Sequence, residues 1–176
     1  HYGLKVLILR PRQLLSAMVS PRNAITKLLT YNKFIDTPNS CTIVEDLMYA
    51  TEKLVEKNIT GIVNVVNPGV TTPYRIAKIL KEEIKPDWSF ERIGKDELNS
   101  MTYAKRVDCV LSSVKLEALG INLGNIEDRL HEVARIFKTT MNTDEGLRAF
   151  AVTEKETAEK LSLVNEWANK DSQSKS

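Results

Sequence analysis

Lys5 to Leu9 reads K-V-L-I-L, and Gly61 to Val66 reads G-I-V-N-V-V. Both are short β-favouring runs with apolar residues at nearly every position. That is the pattern of strands buried on both faces of a parallel sheet. The segments after each run have helical spacing instead. Leu47, Met48, Ala50, Leu54 and Val55 mark a helix over Glu45 to Lys57, and Ile76, Ile79, Leu80 and Ile84 mark another after Thr72-Pro73. Strands alternating with helices predict an α/β domain.

Local signals fill in the rest. Ser20-Pro21 has the form of an N-cap followed by proline at the first helical position, predicting a helix through Ile25, Leu28 and Leu29 to about Tyr31. Thr72-Pro73 repeats that signature. Phe34 to Asp36, Thr42 to Val44 and Trp88 to Ile93 read as short strands, and Asn67-Pro68-Gly69 as a turn. Ser113 opens a brief helix that stops at Gly120, a left-handed C-terminal position. Asn125 caps the next helix, with Ile126, Leu130, Val133, Ala134 and Phe137 on one face. From Thr139 the pattern changes. Residues 139–152 read as a linker, and Thr153 to Glu156 has capping-box spacing. Ala158, Leu161, Val164, Trp167 and Ala168 then line one side of a helix, and Asp171 to Ser176 form a polar tail. The expected organisation is a domain over residues 1–138, a linker over 139–152, and an amphipathic helix with its tail over 153–176.

Composition narrows the function classes. A formal charge of +2 over 176 residues, with basic groups scattered among acids, argues against a nucleic-acid surface. No apolar run reaches the roughly 18–20 residues that span a bilayer, so no membrane role and a cytoplasmic location are expected. Cys41 and Cys109 lie in apolar settings and read as reduced thiols. With His1 and His131 they form no metal-ligand spacing. The first residue is His and not Met, so the chain is expected to be part of something longer.

Four segments occur in order: Y-G-L-K-V-L-I-L-R (Tyr2 to Arg10), T-I-V-E-D-L (Thr42 to Leu47), G-I-V-N-V-V-N-P-G-V-T-T-P (Gly61 to Pro73) and L-S-S-V-K-L-E-A-L-G-I (Leu111 to Ile121). Together they resemble the C-terminal half of extended short-chain dehydrogenases/reductases, the NAD(P)-dependent epimerase/dehydratase group. Ser20 to Leu28, Tyr31 to Thr42 and Val66 to Val70 bring the likeness nearest to the 4-keto-6-deoxy nucleotide-sugar reductases of rhamnose synthesis. The resemblance covers roughly residues 1–138. It implies the last part of a Rossmann-like doubly wound sheet with a small substrate-binding lobe, followed here by a C-terminal helical extension. It also implies a nucleotide-sugar substrate and NADP or NAD as cofactor.

The family's glycine-rich turn, where backbone N–H groups meet a pyrophosphate, has no counterpart among the seven glycines. Tyr2 and Lys5 do not have the spacing of the family's Tyr-x-x-x-Lys pair. No acid, base or hydride-handling residue can be assigned within the chain. What remains is the substrate side. The resemblance implies that the turn through Asn23 approaches the nucleotide diphosphate, with Arg22 beside it; a polar helix-start residue and a solvated arginine are the plainer readings. Asn39 stands where many relatives place an arginine that grips phosphate. Arg106 lies where relatives use an arginine on the substrate phosphates, a task its two-pronged donor geometry suits; an exposed or structural charge is the other reading. Ser112 stands where relatives often have Asp. Asp46 and Asn64 read as structural polar anchors.

Two function classes follow. The first is the substrate-binding half of an NAD(P)-dependent nucleotide-sugar reductase or epimerase. The second is a non-catalytic subunit of reductase ancestry that binds a partner, or a second copy, through Leu161, Val164 and Trp167. The same helix packing back on its own domain is the alternative to any such docking.

Overall fold

A computed structural model describes residues 5–100 and 108–173, with side chains as far as Glu166. Its elements in chain order are β1 (Leu7–Arg10), β2 (Leu14–Leu15), α1 (Ala24–Leu28), β3 (Lys33–Ile35), β4 (Thr42–Ile43), α2 (Val44–Glu56), β5 (Gly61–Asn64), α3 (Pro73–Glu83), β6 (Glu91–Ile93), α4 (Lys95–Ser100), α5 (Val114–Ala118), α6 (Ile126–Met141) and α7 (Asp144–Gln173). The expected α/β class is what is found. The described strands form three parallel pairs, β1 with β5, β2 with β4, and β3 with β6. Parallel partners need a crossover, and α2 supplies it between β1 and β5.

Two apolar clusters hold the chain. The larger joins α1, β3, β4, α3 and α6 through Ile25, Phe34, Ile43, Leu80, Leu130 and Phe137. The smaller joins α2, β5 and α5 through Ala50, Leu54, Val63, Val65, Leu116 and Ile121. In the first, Phe34, Trp88 and Phe90 meet edge-on or tilted, with ring centroids 4.7–5.6 Å apart, separations at which ring quadrupoles attract.

Several local expectations hold. Thr72 caps α3 by accepting from Arg75 N–H, with Pro73 at the first position. Asn125 caps α6 through Glu127 N–H, and all five residues of its expected apolar face are buried. Gly120 has φ +75°, which stops α5.

Others need correction. Ser20-Pro21 does not start α1. Those residues form a turn closed by Asn23 N–H on the Ser20 carbonyl, and Asn23 is the cap. The linker expected over 139–152 is helical except at Asn142 and Thr143. Thr143 Oγ1 accepts from Gly146 N–H, so α7 starts at Asp144, nine residues before Thr153. Thr153 is inside the helix, its hydroxyl donating to the Ala149 carbonyl. The β1 and β5 runs are not covered on both faces. Leu7, Leu9 and Val63 face α2 and α5, but Val6, Ile8 and Ile62 each keep about half of their surface exposed. No described element lies over them. Cys109 is only half-buried and outside any strand, while Cys41 is buried, which pushes its thiol up to about 12.

Helices α3 and α6 are locked at Glu83. Its carboxylate accepts from Arg135 Nη2 at 2.9 Å and lies 2.7 Å from His131 Nδ1. Arg135, then His131, hold the Glu83 carboxyl below its ordinary 4.5. A group with a depressed folded pKa stabilises above its unfolded value and loses that contribution as pH falls through the folded one. Acid unfolding followed by circular dichroism should therefore show a shallower loss below pH ~4.5 for Glu83→Gln than for the native chain. In the larger cluster, Phe137→Ala should cost about 3–5 kcal/mol in denaturant unfolding.

Candidate functional site

In open α/β folds ligands collect outside the carboxyl ends of parallel strands. Here β1 ends at Arg10 and passes through Pro11, Arg12 and Gln13 into β2. Gln13 has φ +39°, a left-handed conformation unusual for a non-glycine residue. It is held there because the Gln13 carbonyl accepts from Thr42 N–H while Arg12 N–H donates to Thr42 Oγ1 at 3.0 Å. The loop is thus fixed against the start of β4.

Asn39 sits across from this loop. Its backbone makes a two-way antiparallel bridge with Thr71. Its side-chain Oδ1 accepts from three donors: Arg12 Nε at 3.3 Å, Arg12 Nη2 at 3.1 Å and Cys109 N–H at 3.2 Å. The amide oxygen therefore aims a guanidinium and anchors the strand-like segment around Cys109. Ser40 adds to that anchor, its N–H donating to the Cys109 carbonyl and its Oγ accepting from Leu111 N–H.

An open cavity of about 330 Å³ lies between residues 35–37 and 92–95. Its charged wall is made of ion pairs. Arg92 meets Asp36 at 3.1 Å and Lys95 meets Asp108 at 2.6 Å. Asp36 also accepts from the Thr72 hydroxyl, linking the wall to the α3 cap. Lys95 above all, helped by the charge of Arg12, holds the Asp108 carboxyl below its ordinary range. Arg92 and Lys95 thus stand on this wall with Asp36 and Asp108 as their partners, and Arg12 adds its charge to the surroundings of Asp108.

The other expected site residues are placed differently. Asn23 caps α1 with Oδ1, while its Nδ2 donates to the Ser16 and Met18 carbonyls at 2.7 and 2.6 Å. Its amide thus shapes the β2–α1 loop. Arg22 is exposed next to it. Arg106 lies outside the described residues. Arg12 was missed from sequence, and its R-P-R setting at a strand end carries only a weak signal. Asn64 links Arg10 to the Ser112 carbonyl and so ties loops together as expected. Asp46 is structural as well. It receives two N–H groups from Arg129, at 3.0 and 2.9 Å, and one from Asn67.

A nicotinamide dinucleotide does not fit these residues. Of the described glycines, Gly61, Gly94 and Gly120 face open space and the other three make close internal contacts. Gly69 packs on Asn125 and Ile126, Gly124 on Arg129, and Gly146 against the Thr140 carbonyl. No two of them stand two residues apart, as the first pair of a pyrophosphate-binding G-x-G-x-x-G turn does. Among the described residues there is also no group of metal-ligating side chains, and no helix is long and apolar enough to cross a membrane.

Asp46→Ala should leave Arg129 and Asn67 without their shared acceptor, at a cost of about 2–4 kcal/mol. A denaturant midpoint equal to the native one would count against this junction as a structural anchor.

No family model matches the chain. It is 31% identical over 140 residues to a bifunctional dTDP-4-dehydrorhamnose 3,5-epimerase/dTDP-4-dehydrorhamnose reductase of Arabidopsis thaliana, a match covering 79% of this chain and 46% of the relative. The crystal structure of a UDP-rhamnose synthase from Acanthamoeba polyphaga mimivirus superposes with a TM-score of 0.69 at 27% identity, covering 74% of this chain and 46% of that one. A dTDP-4-dehydrorhamnose reductase from Bacillus anthracis, solved in complex with NADP, shares the fold with a TM-score of 0.55 at 16% identity, over 72% of this chain and 47% of that one. The chain thus spans about half the length of these relatives. Ordered motifs, fold and relatives agree that it belongs to the extended short-chain dehydrogenase/reductase family, among the homologues of the rhamnose-pathway reductases.

Proposed function

We propose that these residues form the substrate-binding half of an NAD(P)H-dependent nucleotide-sugar reductase that reduces a 4-keto-6-deoxy sugar of the rhamnose type. The observation that carries this reading is the uncovered face of the β1–β5 pair. Val6, Ile8 and Ile62 are each about half exposed on it, and β1 hydrogen-bonds to no described strand but β5. An apolar face beside an open strand edge calls for a neighbour. A parallel α/β half carrying the glycine-rich cofactor loop meets both needs, with a strand along β1 and a helix over Ile8. The dinucleotide and its hydride chemistry belong to that half. The residues here bind and orient the sugar nucleotide through the cavity at the end of the β3–β6 pair, lined by Asp36, Arg92 and Lys95.

Co-expression with the cofactor half of a rhamnose-type reductase tests this. The expected outcome is a co-purifying complex that oxidises NADPH with a UDP- or dTDP-linked 4-keto-6-deoxy sugar. Ile8→Glu should abolish the complex while leaving the melting temperature of the isolated chain within about 2 °C. A well-formed complex with no turnover on either sugar would support the non-catalytic subunit instead.

A further inference from the structure

The part of α7 that leaves the domain carries an ordered charge pattern. Thr157 is its last buried residue among those described, and Glu156, Glu159, Lys160, Leu163 and Glu166 are exposed. Leu161 borders the cavity beside Tyr31 and Trp88. Leu163 lies about 200° further round the helix, so it faces away from that wall, with 64% of its surface exposed.

The charges are arranged around Leu163. Lys160 and Glu166 stand three residues to either side, Glu156 and Lys170 seven, and Lys155 and Asp171 eight. Each of these pairs is opposite in sign. Apart from Glu159, which matches Trp167, they include every charged residue from position 155 to 171. Offsets of three and seven return to one helix face, so Glu156, Lys160, Leu163 and Glu166 share it, with position 170 on the same side. A pattern that reverses sign about its centre is complementary to its own antiparallel copy. With a two-fold axis through Leu163, Lys160 opposes the second copy's Glu166, and Glu166 the second copy's Lys160. A parallel pair in register would set every charge against its own like. Self-complementarity is what an isologous contact requires, whereas solubility calls for charges but not for this order. Lys160 is also available, since it reaches Glu156 of its own helix only at 3.6 Å and keeps 69% of its side chain exposed.

We propose that α7 pairs antiparallel with α7 of a second copy of this chain, about a two-fold axis at Leu163. The paired stretch, positions 155–171, is about 24 Å long. One helix pair of that length stays below the roughly 1,200 Å² of stable interfaces, so the dimer forms in a concentration-dependent equilibrium. It uses none of the residues of the uncovered β1–β5 face.

The test is analytical ultracentrifugation of the whole chain at rising concentration, in an Ile8→Glu background that removes association through the β1–β5 face. Circular dichroism checks the helix content of each variant. The expected result is a monomer–dimer equilibrium. Lys160→Glu and Glu166→Lys should each weaken it by roughly tenfold, because two facing pairs per dimer turn repulsive. Combining the two exchanges in one chain should recover most of the original constant, since the pairs return with their signs reversed. A role confined to one helix would not give that recovery, because the double exchange leaves like charges at positions 156 and 160 and at 166 and 170. Leu163→Cys in a Cys109→Ser background should form a disulfide-linked dimer on air oxidation, and Leu161→Cys should not. A chain that stays monomeric throughout overturns the proposal. So does a dimer that the single exchanges leave unchanged, one that the double exchange fails to recover, or one that cross-links through Leu161→Cys instead.

Discussion

One buried carboxamide, that of Asn67, joins three segments far apart in sequence. Its Oδ1 accepts from Ile43 N–H, and its Nδ2 donates to the Asp46 carboxylate and the Gly124 carbonyl. Its own N–H reaches the Cys41 carbonyl. An orphaned buried group costs about 1–3 kcal/mol, so the β4–α2 junction, the exit from β5 and the approach to α6 move as one. The consequence reaches the candidate site. With the β5 exit fixed, the turn through Pro68 and Gly69 delivers Thr71 to its bridge with Asn39. Asn39 in turn sets Arg12 and the Cys109 segment. The position of a charged group thus depends on a neutral amide two steps away.

Features set by local chemistry were legible in the sequence. Thr72-Pro73, Asn125 and Gly120 act within one helical turn of their own position, so neighbouring residues decide them. Ser20-Pro21 misled because a better cap, Asn23, follows closely. Its amide satisfies Ile25 N–H and also two loop carbonyls, which Ser20 does not reach. The supposed linker misled through its Thr, Asn and Gly content. Gly146 is there because a Cβ would collide with the Thr140 carbonyl and Met141 at the tight turn between α6 and α7. It permits a close approach and does not break a helix.

The site was legible only in outline. Asn39 stood out as a departure from the family pattern, and its contact with Arg12 spans 27 residues, beyond any local periodicity. The β1 run was misread for a related reason. A continuous apolar run records what surrounds a strand in its complete fold, and the run itself does not say which segment provides the cover. Ile8 and Leu9 are equally apolar, yet only Leu9 packs against a buried apolar cluster.

The same logic governs α7. Phe150, Thr153 and Thr157 form one stripe spaced by three and four residues, and both threonines are buried against the domain. Threonine in place of leucine there allows close approach, and the Thr157 hydroxyl meets that of Thr30 at 3.0 Å. The buried stripe then stops. Leu161 and Leu163 are exposed although Leu161 continues the spacing, and Leu161 borders an open cavity of about 410 Å³ whose far wall includes Tyr31, Lys85 and Trp88. The first half of α7 is therefore part of the domain, while the later turns persist on helix propensity and pairs such as Glu156 with Lys160. The helix periodicity alone does not separate the two halves. The closeness of the surface beneath them does, in contact at Thr153 and Thr157 and across an open cavity at Leu161, as the presence or absence of a covering helix separates the two faces of β1.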